Sequence, residues 1–178
     1  MNPITAPSTS TSQIILAFLC RHPQESFYSG EIAKATSLSK GGTNQSLHEL
    51  AKQGVLKTEE KGRMIFYSVD IKSPLIRQYK VLQNIASLED VVKKLKSLAE
   101  RVILFGSCAK GEDRQESDVD LLVVGQEKER IRALVPQTKE KRKIQLLVKT
   151  PQEYILLEDK EPVFYQQIQQ GIVLWQKE

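Results

Sequence analysis

The spacing of apolar and polar positions changes several times along the 178-residue chain, and each change predicts an element. Gln13 to Cys20 is mostly apolar, can be capped by Thr11 or Ser12 and stops at His22-Pro23, which predicts a helix. Ser29 to Thr36 reads as a second short helix with Ile32 and Ala33 inward, followed by a turn at Ser37-Leu38-Ser39. Lys40 to Gln53 sets Leu47, Leu50 and Ala51 at helical spacing and ends at Gly54, a left-handed cap position. The first half of that helix, Lys40 to Ser46, is small and polar, so only its second half is expected to need a core. Val55 to Glu60 and Met64 to Val69 read as strands joined by the basic turn Lys61-Gly62-Arg63. From Ser73 to Glu100, Leu75, Ile76, Tyr79, Leu82 and Ile85, then Leu88, Val91, Val92, Leu95 and Leu98, form amphipathic helices that Pro74 starts and a break near Ser87 divides.

Beyond residue 100 short apolar runs replace the helical period. Arg101 to Phe105 stops at Gly106-Ser107, and Val119 to Val124 begins inside the triplet Asp118-Val119-Asp120, so two buried strands flank a polar crossover. Gln126 to Val135 is a predicted helix ended by Pro136, and the basic run Lys139 to Lys143 leads into a strand over Ile144 to Val148. Such a run is a solvated strand entrance or a contact for triphosphate or DNA backbone. Pro151 and Pro162 open two further helices, Gly171 to Trp175 is a terminal strand, and Tyr154, Phe164, Ile168 and Trp175 are assigned to the core. The fold class is α+β, in four segments: a flexible leader over 1–11, three helices and a hairpin over 12–72, linking helices over 73–100, and a mixed-sheet domain over 101–178.

Composition narrows this little: 40% hydrophobic and 27% charged residues are ordinary for a globular protein. No apolar run approaches the ~20 residues of a membrane helix, so no membrane partner and a cytoplasmic location are expected. Two cysteines and two histidines are too few for a disulfide framework or a zinc cluster. Residues 1 to 100 carry 13 Lys+Arg against 9 Asp+Glu, whereas the remainder is balanced at 13 each, so the basic excess is N-terminal and compatible with nucleic acid.

The candidate chemistry sits at the crossover. Alternation along a strand sets Asp118 and Asp120 on one face, where two neighbouring carboxylates repel unless a cation joins them. Hard Mg²⁺, held by one or two carboxylates plus substrate phosphates, answers that need. Gly106 at a strand end lets a phosphate approach the backbone. Gly106-Ser107, ten residues, then Asp118-x-Asp120 resembles the signature of the nucleotidyltransferase superfamily that includes DNA polymerase beta, especially its minimal members, over about Val102 to Trp175.

That resemblance implies transfer of a nucleoside monophosphate from a nucleoside triphosphate to an acceptor. Asp118 and Asp120 would hold Mg²⁺ or Mn²⁺, Gly106 and Ser107 would cradle the outer phosphates, and Lys110 or Arg114 would add charge. The family also uses a third carboxylate on a neighbouring strand. Alternation from Ile144 and Leu146 puts Gln145 at that position, a neutral side chain that cannot act as a base, and Glu153 is the one substitute suggested, without a spacing argument. Residues 12 to 70 resemble a winged helix-turn-helix domain, which implies double-stranded DNA as partner, read by Lys40, Thr43, Asn44, Gln45 and Ser46 and gripped by Lys61 and Arg63. Two readings follow: a Mg²⁺-dependent nucleotidyltransferase directed by its winged helix, or a DNA-binding regulator whose nucleotidyltransferase fold is catalytically weak. Minimal nucleotidyltransferases often act as antitoxins on a partner toxin, so a protein acceptor is a third option, and a homodimer through residues 73–100 is compatible with the apolar stripe.

Overall fold

The structure is a computed structural model and describes residues 10–114, 116–135 and 142–178. The expected leader 1–11 lies outside the described residues up to position 9. The chain divides into two compact units at Lys80/Val81. None of the described helices is long and apolar enough to cross a membrane.

In the first unit α1 spans Thr11–Arg21. Its cap is Ser10, not Thr11 or Ser12, because only from Ser10 does Gln13 stand at the third helical position and complete a reciprocal capping box. The two-residue strand β1 (Phe27–Tyr28) leads into α2 (Ser29–Thr36), whose end is marked by Ser37 at φ 57. Ser39 then caps α3 (Lys40–Lys52), accepting from the Gly42 amide. Strands β2 (Lys57–Lys61) and β3 (Met64–Ser68) form the hairpin, and β1 joins its outer side in the antiparallel order β1-β3-β2. Ile15, Leu19, Ile32, Leu47, Tyr67 and Ile76 close the core of this unit. α3 uses its first half as well: Thr43, Ser46, Leu47 and Leu50 follow one another at helical spacing on its inner face. The second-half-only core expected for this helix is therefore corrected.

Helix α4 (Pro74–Ser87) runs across the point of division, and α5 (Glu89–Leu95) follows a break at Leu88. Ile76 belongs to the first unit's core, and Leu88, Val92 and Leu95 to that of the second. The second unit has β4 (Arg101–Phe105), α6 (Gly106–Lys110), β5 (Val119–Val124), α7 (Lys128–Leu134) and β6 (Ile144–Lys149). After them come α8 (Pro151–Ile155), α9 (Leu157–Lys160), α10 (Pro162–Gln169) and β7 (Ile172–Gln176). Three short helices thus occupy the stretch expected to hold two.

The sheet runs β6-β5-β4-β7, with β5 and β6 parallel and the other pairs antiparallel. Both of its faces are covered, which is why β4 and β5 read as unbroken apolar runs. Val102, Leu104, Leu121 and Val123 pack toward Val92, Leu95 and Ile131 on one side. Ile103, Phe105, Leu122 and Val124 pack toward Leu157 and Ile168 on the other. Asp120 alternates with Leu122 and therefore lies at the open end of the second face.

Candidate functional site

Two local events create the site. β4 ends by turning at Gly106, whose φ of +70 lies in the left-handed region, and the chain passes at once into α6. Antiparallel pairing then sets Phe105 opposite Asp120, so the Asp120 carboxylate lies over the Gly106 backbone. A Cβ added at position 106 would stand 2.2 Å from Asp120 Oδ2, so no side chain fits there without displacing the acid. Asp118 precedes β5 and lies close enough for its charge to act on Asp120. Burial first, and the Asp118 charge second, hold the Asp120 carboxyl above the usual carboxylate range.

Parallel pairing of β5 and β6 sets Gln145 beside Asp120, and the Gln145 side chain is exposed. Gln145 is thus on the neighbouring strand in register with the acid. A concavity of 430 Å³ opens here, lined among others by Gly106, Asp120, Gln145, Leu147 and Phe164. Lys143 is exposed and brings its Nζ to 4.0 Å from Asp118 Oδ2. Ser107 is half-buried on α6, while Lys110 and Arg114 are exposed. Among the described residues no three His, Cys, Asp or Glu side chains gather into a metal site. The two carboxylates, all-oxygen donors beside a glycine that leaves room for phosphate, still fit a hard divalent cation shared with a phosphate ligand.

Glu153 does not complete the acid set. Its carboxylate bonds Lys128 Nζ at 2.6 Å and the Thr150 amide at 2.7 Å, and these partners bring its pKa down to about 2. It follows β6, whose last residue Lys149 pairs with Val124, four residues and about 13 Å of strand beyond Asp120. Cys108 is buried, and burial pushes its thiol up, away from nucleophilic use.

In the basic run before β6, Lys143 is exposed as a solvated strand entrance requires, and Arg142 departs from both expectations. Lys139 to Lys141 lie outside the described residues. Arg142 turns inward and pairs with Asp113 at 2.9 Å, while also donating to Asn84 Oδ1, the Ser117 carbonyl and Cys108 Sγ. Sequence reading missed this cluster, because Arg142 is separated from its partners by 25 to 58 residues and no spacing pattern connects them.

On α3, Lys40, Asn44 and Gln45 are exposed, and His48, absent from the expected set, shares that exposed side. Thr43 and Ser46 are corrected: at 0% and 8% exposure they face the core, and the Thr43 hydroxyl bonds the Ser39 carbonyl. They cannot read bases. Arg63 and Lys61 are exposed at the hairpin tip, but Lys61 already pairs with Glu59 at 2.9 Å and lies over the Phe66 ring.

A family model described as polymerase beta, nucleotidyltransferase matches residues 86–178, and a MarR family model matches residues 9–63. A Methanocaldococcus jannaschii protein provisionally named protein adenylyltransferase MJ0141 is 45% identical over 56 residues, which are 32% of this chain and 50% of that protein. The match thus spans half the length of that relative. A solved structure from Sulfolobus solfataricus, provisionally named a nucleotidyltransferase, aligns with 57% of this chain and 87% of its own at 15% identity and a TM-score of 0.39. Human N-acetylserotonin methyltransferase aligns with 47% of this chain and 30% of its own at 18% identity and a TM-score of 0.29. Both structural likenesses are too distant to add to the argument.

Proposed function

Because the chain belongs to the polymerase beta nucleotidyltransferase family, with a MarR-family winged helix ahead of that domain, we propose that Asp118 and Asp120 hold a nucleoside triphosphate through a divalent cation. The observation that carries this reading is the Asp120 carboxylate seated on a side-chain-free, left-handed Gly106, with the Asp118 charge beside it. When bound, Mg²⁺ or Mn²⁺ supplies charge neutralisation between the two acids and the phosphates. Ser107 and the exposed Lys110 and Arg114 lie on the segments leading from Gly106 and supply further phosphate contacts.

The reaction proposed is nucleotidyl transfer. An acceptor oxygen forms a bond to the α-phosphorus, the bond from that phosphorus to the bridging oxygen breaks, and pyrophosphate leaves. The acceptor's proton cannot go to the Gln145 amide, so Asp118, Asp120 or water must take it. The name of the M. jannaschii relative makes ATP and a protein acceptor the first pair to try, with a partner toxin as one such acceptor. A winged helix exposing Lys40, Asn44, Gln45 and Arg63 supports double-stranded DNA as a second ligand. A homodimer through residues 73–100 belongs to the same proposal, supported by exposed Leu75 and Leu82, seven residues apart on α4.

The second reading, a regulator that binds nucleotide and transfers it weakly, is favoured by one specific observation: neutral Gln145 pairs with Asp120 where the family's third acid is expected. One experiment separates the two. The protein is incubated with labelled nucleoside triphosphates, Mg²⁺ or Mn²⁺ and candidate acceptors, beside Asp118→Ala and Gln145→Asp. Robust wild-type transfer that Asp118→Ala abolishes establishes the enzyme and removes the second reading. Transfer seen only in Gln145→Asp establishes the regulator.

A further inference from the structure

Asp120 is placed by the strand ladder, with Phe105 on one side and Gln145 on the other. Asp118 is not. It precedes β5; the Val119 amide bonds the Lys143 carbonyl and the Ser117 amide bonds the Arg114 carbonyl, and two side chains hold the carbonyls of Ser117 and Asp118. Arg142 Nε donates to the Ser117 carbonyl at 2.9 Å, and the Cys108 thiol donates to the Asp118 carbonyl at 3.4 Å. Both donors are fixed in turn. Arg142 Nη1 bonds Asp113 Oδ2 at 2.9 Å and Asn84 Oδ1 at 3.2 Å, and its Nη2 bonds Cys108 Sγ at 3.1 Å. The Asn84 amide nitrogen closes the knot by donating at 3.0 Å to Asp113 Oδ1 and to the Cys108 carbonyl.

Resting on the reading of Asp118 and Asp120 as the ligand pair, we infer that Arg142, locked by Asp113 and Asn84, is the positioning residue that sets the Asp118 carboxylate beside Asp120. Simple stability explains the knot poorly. Asp113 and Asn84 are 6% and 8% exposed, and a buried ion pair gains little over well-packed apolar side chains of the same volume. What such a cluster provides is one defined geometry, and it provides it at the segment that carries the acid. The planar fork matters as well as the charge. Arg142 reaches four acceptors in different directions, which a lysine ammonium on a flexible stem does not reproduce.

The test uses the full chain with Arg142→Lys, which keeps the charge and loses the fork, and Asp113→Asn, which keeps the shape and loses the charge. Two quantities are read: amide hydrogen exchange by NMR, and the Kd for Mn²⁺·ATP. Expected is at least tenfold faster exchange at Glu112, Arg114 and Ser117 with unchanged protection at Leu104 and Leu122, and at least tenfold weaker Mn²⁺·ATP binding. Acceleration spread evenly over β4 and β5 overturns the inference, since it marks a general loss of stability. Local acceleration without loss of affinity also overturns it. A wild-type protein that binds no Mn²⁺·ATP sinks the functional reading instead, and the exchange data still decide whether Arg142 holds the segment. Should Arg142→Lys fail to fold, Cys108→Ala removes the donor to the Asp118 carbonyl and is read in the same way.

Discussion

Gly106→Ala tests the site at its narrowest point. The residue has φ +70, a conformation that costs an L-residue about 1–2 kcal/mol. Its new Cβ would also meet Asp120 Oδ2 at 2.2 Å, and a carboxylate must withdraw by about 1 Å or more to regain ordinary contact. Because the clashing atom is the end of a side chain, the response is rotation of Asp120, at about 0.5–1.5 kcal/mol for a non-rotameric angle. The sum, about 1.5–3.5 kcal/mol, lowers the Tm of a unit of this size by roughly 10 °C or more without abolishing the fold. The loss at the site is larger, since displacing a ligating group by ~1 Å can cost ~10²-fold. Calorimetry gives the first quantity and titration with Mn²⁺·ATP the second. Gly54→Ala supplies the control: its φ of +72 carries the same backbone strain, but nothing lies within 4 Å of the added methyl. It should lose stability and keep nucleotide affinity. Wild-type affinity for Mn²⁺·ATP in Gly106→Ala would refute the placement of Asp120 as a ligand.

Gln145→Asp adds a carboxylate in register with Asp120, so without metal its Tm should fall by a few degrees, and Mn²⁺ should restore it and bind about tenfold tighter than to wild type; equal Mn²⁺ affinity would show that position 145 does not face the ion. Glu153 titrates near 2 in the fold against 4.5 without its partners, so it stabilises the protein above pH 4.5 and that contribution disappears as pH falls toward 2. The Tm gap between wild type and Glu153→Gln should therefore be full at pH 7 and close steadily below pH 4.5, and a gap independent of pH would contradict the Lys128 pairing. On the winged helix, Asn44→Ala should change sequence preference, while Lys40→Ala and Arg63→Ala should each weaken duplex binding uniformly and reduce the salt slope by about 1. Thr43→Ala should cost stability and leave DNA preference as it was, because its hydroxyl is spent on Ser39.

The parts legible from sequence were those governed by a short period. Alternation put Gln145 at the position on β6 that matches Asp120 on β5, and the parallel register brings the two together, whereas Asp118 lies before β5 and outside the ladder. Glycine at 54, left-handed as expected, ended α3 where the pattern stopped. The failures share a cause as well. Thr43 and Ser46 are polar by composition, yet they complete an inward stripe with Leu47 and Leu50, and Thr43, whose hydroxyl bonds the preceding turn, costs little to bury. β1 is two residues long and exists only because β3 offers Tyr67 and Phe66 to pair with Phe27 and Tyr28, so no local pattern announces it. Arg142 stood in a run of cations whose default is solvent, and its partners are distant in sequence.

Placing Arg142 inward changes the charge at the site. Of the four cations in the run 139–143, a solvated strand entrance or a phosphate contact by its pattern, Lys143 alone among the described residues faces the acids, 4.0 Å from Asp118. Asp118, Asp120 and Lys143 together carry a formal charge of −1. Two divalent cations a few ångströms apart bring a charge of +4, which these side chains alone do not balance, so a second ion would depend almost wholly on the triphosphate for its ligands. One cation shared between the Asp118–Asp120 pair and the nucleotide matches the donor set far better, with the Lys143 ammonium in place of a second positive centre. The neutrality of Gln145 then has a consequence beyond the loss of a base: it removes the ligand and the charge that would hold a second ion. For this reason Gln145→Asp should raise the number of Mn²⁺ ions bound with ATP from one to two, a count readable by paramagnetic resonance, and a wild-type count of two would overturn the charge argument.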